Sequence, residues 1–246
     1  MHSHHQSPSD IQHGHDYVSA NEAYFDSDAL NNAEKPRRVE LARRVCNGLR
    51  KAYPELLDED TTELMDFACG IGLMSRELCP YVKSIVGVDV SQNAVDAYNA
   101  RVNQQGLTPE DMNAVRVLLK GEEGELGGKM FDVIISVASH HHLPDIDATS
   151  RILDNFLKPG GSLLIVDILN ENLGSSSQQP ELLEKYKDIV VHKSGFTEAE
   201  IRGNLEQAGL ETIDFQILTT VLLHDRDVKL FLARGINRRA MAPSHK

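Results

Sequence analysis

The sequence predicts an α/β protein built on a doubly wound, mostly parallel, seven-stranded sheet with the last strand antiparallel. Seven short apolar runs supply the strands, and amphipathic stretches lie between most of the first five. Continuous runs such as Val133-Ile-Ile and Leu163-Leu-Ile-Val mark strands buried on both faces, as helices on both sides of a parallel sheet require. The final runs, 210–223 and 228–234, are joined only by His224 to Asp227, too short for a helical crossover, so they pair antiparallel.

The elements follow in order. Residues 1–15 are polar and hold five of the eleven histidines, which predicts a disordered tail. The remainder, 16–246, reads as one domain. Between Asp16 and Leu30, Tyr17, Val18, Ala20, Tyr24 and Phe25 gather on one side of a short helix, making 16–35 a lid over whatever the sheet binds. Pro36 opens an amphipathic helix to Tyr53, with Val39, Leu41, Ala42, Val45, Cys46 and Leu49 inward, and Pro54 stops it.

Strands are expected at 62–67, 85–90, 114–119, 131–137 and 162–168, and helices at 73–79, 92–104 and 145–157. Asn170 to Gln179 is rich in Asn, Ser and Gly and reads as a loop leading to a helix over Glu181 to Asp188, so that 170–195 forms a lid or substrate wall. Thr197-Glu-Ala-Glu200 is a capping-box start for a helix ending at Gly209.

The formal net charge of −12 disfavours nucleic acid and anionic membranes as partners, because neutralising phosphates takes an excess of Lys and Arg. Cys46, Cys69 and Cys79 have neither metal-site nor disulfide spacing, and no run approaches the ~20 apolar residues of a membrane span. A soluble, cytoplasmic protein is expected.

The chemistry concentrates at two strand ends. Asp66 precedes a turn holding Gly70 and Gly72, and Asp89 ends the next strand, 17 residues after Gly72. Glycines let the backbone approach a ligand closely, and a carboxylate at the second strand end is placed for two ribose hydroxyls. The sequence Gly70-x-Gly72-x-x-Ser75 is only an approximate dinucleotide fingerprint. A carboxylate just before the turn would repel a pyrophosphate but attract an ammonium, so Asp66 favours S-adenosylmethionine over NAD. The antiparallel closing pair, and the lack of a Ser with Tyr-x-x-x-Lys, point the same way.

The succession Asp66-x-x-Cys-Gly-x-Gly, Val86-Gly-Val-Asp-Val-Ser91, Phe131-Asp-Val-Ile-Ile-Ser136, His141-His-Leu-Pro-Asp145 and Leu157-Lys-Pro-Gly-Gly-Ser-Leu163 resembles the motifs of class I S-adenosylmethionine-dependent methyltransferases, with their Rossmann-like fold. The similarity covers about 36–235 and is greatest to a subgroup compared with quinone-biosynthesis methyltransferases; Val191-His-Lys-Ser-Gly-Phe-Thr197 resembles that subgroup's His-x-x-Gly-Phe element. The resemblance implies that Asp66 and the backbone of Ala68, Cys69, Gly70 and Gly72 hold the methionine moiety, Asp89 the ribose and Val90 the adenine. Glu122, in a Lys120-Gly-Glu-Glu123 stretch that departs from the family's usual Gly-Asp, is the implied contact of the adenine amine. Val137 and Ala138 would line the wall beside the sulfonium.

His140, His141 and His192 are the candidate bases or acceptor contacts. His141 and His142 match the family's pattern, whereas His140 stands where relatives often carry an apolar residue. Each also fits a local structural role, as a helix cap or a loop histidine. The i, i+4 spacing of helical zinc ligands is absent, so no metal is expected. Tyr24, Phe25 and Asp167 are further candidates to face the acceptor. No Asn/Asp-Pro-Pro-Tyr/Phe follows the fourth strand, which lowers the case for nucleic acid or glutamine amides as acceptors. The expected activity is in-line methyl transfer to a small molecule, at oxygen. A macromolecule-directed enzyme of the same fold, a non-catalytic cofactor-binding module and a nicotinamide oxidoreductase are the alternatives, and oligomeric state is left open.

Overall fold

The computed structural model describes residues 15–31, 35–171, 183, 186–223 and 226–239. In chain order the elements are α1 (Tyr17–Asn31), α2 (Pro36–Ala52), β1 (Glu63–Phe67), α3 (Leu73–Leu78), β2 (Ser84–Asp89), α4 (Gln92–Gln104), β3 (Met112–Arg116), β4 (Phe131–Val137), α5 (Ile146–Asn155), β5 (Leu157–Ile168), α6 (Glu198–Gln207), β6 (Leu210–Leu223) and β7 (Arg226–Asn237). The expected tail lies outside the described residues apart from His15, as does half of the expected 170–195 insertion, including half of the helix expected over Glu181 to Asp188.

The strands form one seven-stranded sheet in the order β3-β2-β1-β4-β5-β7-β6. β1 to β5 pair in parallel, and β7 runs antiparallel to both β5 and β6. Strand order reverses between β1 and β4, and the carboxyl ends of these two strands open the crevice where ligands bind in open α/β sheets.

Helices cover both faces. Val45 and Leu49 of α2, Leu78 of α3 and Tyr98 of α4 pack on one face with Leu64, Val133 and Leu232. Leu153 of α5 with Ile201 and Leu205 of α6 pack on the other with Met65, Ile134 and Phe231. At about 25 cal/mol per Å² of apolar surface, these two layers are the main term opposing chain entropy. Thr197 caps α6 in the expected capping box with Glu200.

Several strand boundaries differ from expectation: β7 extends over Arg226–Asn237 beyond the expected 228–234, β3 starts two residues early, and two further differences have a local cause. β3 stops at Arg116, not at residue 119; Val117 N–H still donates to Asp89 O (2.9 Å), after which Leu118 turns out to solvent. β5 begins at Leu157, five residues before the expected 162, because Leu157 already pairs with Phe131. The intervening Lys158-Pro-Gly-Gly161 segment is a bulge in that pairing, and a side chain at Gly161 would lie 2.9 Å from Lys158 O and 3.0 Å from Phe131 O.

Candidate active site

The turn after β1 is tied to the end of β2. Cys69 N–H donates to Val88 O (3.1 Å), and Gly70 N–H donates to the Asp89 carboxylate (2.7 Å). Ala68 and Gly70 both have left-handed backbone (φ 56° and 52°), and a Cβ added at Gly70 would meet no protein atom within 4 Å. The second glycine serves packing instead: a Cβ at Gly72 would sit 2.5 Å from the Tyr98 ring. The turn thus bares its backbone toward open space while its reverse side is locked on α4.

Two carboxylates flank this turn. Asp66 is buried, and Ser75 Oγ donates to it at 2.6 Å. Burial pushes its carboxyl up to about 7, the Ser75 hydrogen bond opposing and Asp89 adding to the rise. Asp89 accepts from Ser91 N–H (2.9 Å) as well as from Gly70, and burial outweighs these bonds to leave its carboxyl above the usual range.

The second half of the site grows from β4 and β5. Ala138, directly after β4, is also left-handed (φ 52°), and its N–H donates to Val166 O (2.8 Å). Non-glycine residues held in that region are strained by about 1–3 kcal/mol and cluster at functional sites. A 3₁₀ turn, His140–His142, follows, and its three rings find different partners in Ser136, Asp167 and Ile189.

His141 Nδ1 lies 2.8 Å from Asp167 Oδ1, and its backbone N–H donates to Oδ2 (3.2 Å). Asp167 is 1% exposed and also accepts from Ile168 N–H (2.7 Å). Burial acts to raise its carboxyl, but the His141 imidazole and these hydrogen bonds outweigh it and hold the group below the ordinary carboxylate range. A carboxylate can only accept, so Nδ1 of His141 carries the proton and Nε2 is the basic nitrogen.

His142 Nδ1 donates to Ile189 O (2.7 Å); burial, then the neighbouring His141, lowers its pKa to about 4 and keeps it neutral. His140 is fully buried, with Nδ1 2.8 Å from Ser136 Oγ and its pKa lowered to about 4, chiefly by burial. His192 Nε2 donates to Leu143 O (3.1 Å), and the ring packs on Phe196; burial lowers its pKa as well.

These groups surround a crevice of two lobes. Lobe one, about 320 Å³, is lined by Asp66, Ala68, Cys69, Gly70, Val137 and His141 among others, with Met74 and Leu41 as apolar wall. Lobe two, about 240 Å³, is lined by Asp89, Val90, Leu118, Leu119 and Ile152. Phe25, Ala68, Gly70, Ala138 and His142 border both. Helix α1 supplies the outer wall: Asp26 accepts from Ser91 Oγ (2.5 Å) and Asn93 N–H (3.0 Å) at the start of α4, and Phe25 meets His142 edge-on.

Of the residues the sequence singled out, Asp66, Ala68, Cys69, Gly70, Val137, Ala138 and His141 meet at lobe one, and Asp89 and Val90 at lobe two. Gly72 supports the turn from behind. His140, His192 and Glu122 border neither lobe: the first is walled in by Ser136, the second faces loop backbone, and Glu122 is exposed on the loop after β3. Phe25, one of the two aromatics expected to close over the site, is at the junction. Sequence reasoning did not bring Asp28 and Arg38 to the site; they pair with each other on the rim of lobe one, and only tertiary packing unites them.

A glycine turn flanked by two carboxylates at the switch point of such a sheet is the arrangement of a nucleoside-binding α/β domain. This chain belongs to the methyltransferase-domain family, whose pattern matches residues 38–214. It is 33% identical over 156 residues to an uncharacterized methyltransferase of Schizosaccharomyces pombe, covering 61% of this chain and 54% of the relative. It is 24% identical over 141 residues to the ubiquinone biosynthesis O-methyltransferase of Bartonella tribocorum, covering 57% and 55%. The chain thus spans little more than half the length of these two relatives. Among solved structures, the N-methyltransferase NodS of Bradyrhizobium japonicum, in complex with S-adenosyl-L-homocysteine, shares the fold with a TM-score of 0.62 at 13% identity, over 89% of this chain and 100% of that one. Among the described residues no helix is long and apolar enough to cross a membrane.

Proposed function

We propose that this chain transfers a methyl group from S-adenosylmethionine to a hydroxyl of a small molecule, with His141 as the general base. The observation that carries the reading is the His141–Asp167 pair beside a glycine turn, with His141 on the wall of lobe one. The ubiquinone O-methyltransferase relatives support oxygen as the accepting atom.

Two features support the cofactor. Asp66 is a buried carboxyl governed by burial and not by a cationic partner, so an ammonium at lobe one would relieve it. The unfilled Cβ direction at Gly70 leaves room for a ligand against bare backbone. In this reading Asp66 and the backbone of Ala68, Cys69 and Gly70 hold the amino-acid end, with Gly72 shaping the turn. Asp89 takes the ribose hydroxyls, Val90 packs on the base, and Val137 and Ala138 wall the junction. Bound there, S-adenosylmethionine supplies an electrophilic methyl carbon on a sulfonium.

The protein's own part is alignment and proton handling. Holding acceptor and methyl in line contributes several kcal/mol. Asp167 keeps His141 in the Nδ1–H tautomer, so Nε2 removes the acceptor's hydroxyl proton, worth about 10²–10⁴ in rate. Phe25, Leu41 and Met74 give lobe one an apolar lining, which suits an acceptor with an apolar body. The absence of disulfides among the described cysteines fits a reducing, cytoplasmic setting.

The test separates cofactor from catalysis. S-adenosylhomocysteine raises the melting temperature of the wild type and NAD(H) does not, and Asp89→Ala removes the shift. His141→Ala keeps the shift and loses turnover. A shift with NAD(H) alone, or full turnover in His141→Ala, contradicts the reading.

A further inference from the structure

We propose that Asn21, on α1, is the residue that selects the base of the cofactor, its side-chain oxygen accepting a hydrogen bond from the exocyclic amine of adenine in lobe two. The proposal rests on the cofactor reading above and adds a role for the lid helix that no motif carries.

Asn21 lines lobe two and is only 8% exposed. Its Nδ2 lies 2.8 Å from Tyr17 O and 3.0 Å from Ile189 O. Both neighbours are carbonyl oxygens, so the amide cannot be flipped: the nitrogen must face them and Oδ1 must face the other way. That oxygen is buried and has no hydrogen-bond partner among the described residues. Buried carbonyl oxygens are almost always paired, so an orphan fixed in orientation on a residue that lines the lobe calls for a donor from a ligand.

Lobe two indicates which donor. Its floor is apolar, with Val90, Val117, Leu118, Leu119, Pro144 and Ile152, a lining for the flat faces of a heterocycle. Asp89, on the same lobe, provides for the ribose. Three other polar atoms on the lobe are engaged: Ser139 Oγ with Ser136 Oγ (2.6 Å), Thr149 Oγ1 with Asp145 O (2.9 Å) and His142 Nδ1 with Ile189 O (2.7 Å). Glu122, which the family resemblance placed opposite the amine, is exposed and borders neither lobe. An amide oxygen accepts from an amine and repels the carbonyl oxygen that replaces it in hypoxanthine, so one residue both attracts the right base and rejects the wrong one.

The measurement is calorimetric binding of S-adenosylhomocysteine and S-inosylhomocysteine to wild type, Asn21→Ala and Glu122→Ala. Wild type and Glu122→Ala prefer the adenosyl compound by roughly tenfold or more, and Asn21→Ala loses most of that preference. An unchanged preference in Asn21→Ala, or its loss in Glu122→Ala, overturns the assignment while leaving the cofactor reading intact. Binding of neither compound to wild type fails that reading and this inference with it. Should Asn21→Ala not fold, the side-chain carbonyl ¹³C resonance of Asn21 in wild type decides: it moves with S-adenosylhomocysteine and not with S-inosylhomocysteine, and equal shifts contradict the proposal.

Discussion

At the residue scale, the site depends on where burial places charge. Asp66 titrates near 7 in the ligand-free protein because it is desolvated and close to Asp89. A carboxyl raised in the fold contributes stability that is complete below its unfolded value near 4 and is lost as pH rises through about 7. Asp66→Asn therefore raises the melting temperature of the ligand-free protein most at pH 8, less at pH 5 and hardly at pH 3. Ligand binding runs the other way, since an ammonium prefers the carboxylate. The affinity for S-adenosylhomocysteine should rise several-fold between about pH 6 and 7.5, as the ionised fraction grows with one pKa unit per 1.36 kcal/mol, and calorimetry at the two values checks it.

The three histidines divide by environment. His141 alone pairs with a carboxylate, so Asp167→Asn should lower turnover by about 10²–10⁴, leave S-adenosylhomocysteine affinity unchanged and alter the pH profile of the chemical step. Replacing His140 should act on stability instead, because it is buried against Ser136 away from both lobes. Equal losses of turnover from His140→Ala and Asp167→Asn, with folding intact, would contradict this division.

At the element scale, α1 is both wall and latch. Asp26 joins it to the start of α4 through Ser91 and Asn93, His15 and Asn21 join it to the backbone at Asp188 and Ile189, and Phe25 closes the junction of the lobes. A capping carboxylate of this kind is worth about 1 kcal/mol. Asp26→Ala should therefore weaken S-adenosylhomocysteine binding by about fivefold and speed hydrogen exchange of the α1 amides, without abolishing turnover; unchanged exchange would show that the latch lies elsewhere. The tight turns after β1 and β4 make the opposite demand. At Ala138 (φ 52°) a β-branched side chain would be strained and would enter the crevice, so Ala138→Val should cost both stability and cofactor affinity.

At the scale of the whole molecule, the centre of the sheet was legible because β1, β2, β4 and β5 are apolar runs largely buried on both faces; β4 falls at the residues its run marks, as does the half-exposed edge strand β6. The end of β3 and the start of β5 were not, since they depend on pairing: Leu157 finds Phe131 across a bulge that a Pro-Gly-Gly stretch disguises as a break. The glycine turn and both carboxylates were legible as chemistry and meet at one strand edge. Which histidine pairs with a carboxylate was not, because adjacent residues in a 3₁₀ turn diverge and only Asp167, twenty-six positions on, distinguishes His141 from His142, which also borders the crevice. Asn21 carries no motif at all; its orphaned oxygen exists only once α1 has docked on Ile189.

The central claim, methyl transfer to a small hydroxylated acceptor with His141 as base, is tested most directly by incubating wild type and His141→Ala with S-adenosylmethionine labelled in its methyl group and a cell extract fractionated by size. Label should appear in the small-molecule fraction as an alkali-stable methyl ether with wild type and fall by at least about a hundredfold with His141→Ala. Label in the macromolecular fraction, transfer undiminished in the variant, or none from a wild type that binds the cofactor would contradict it.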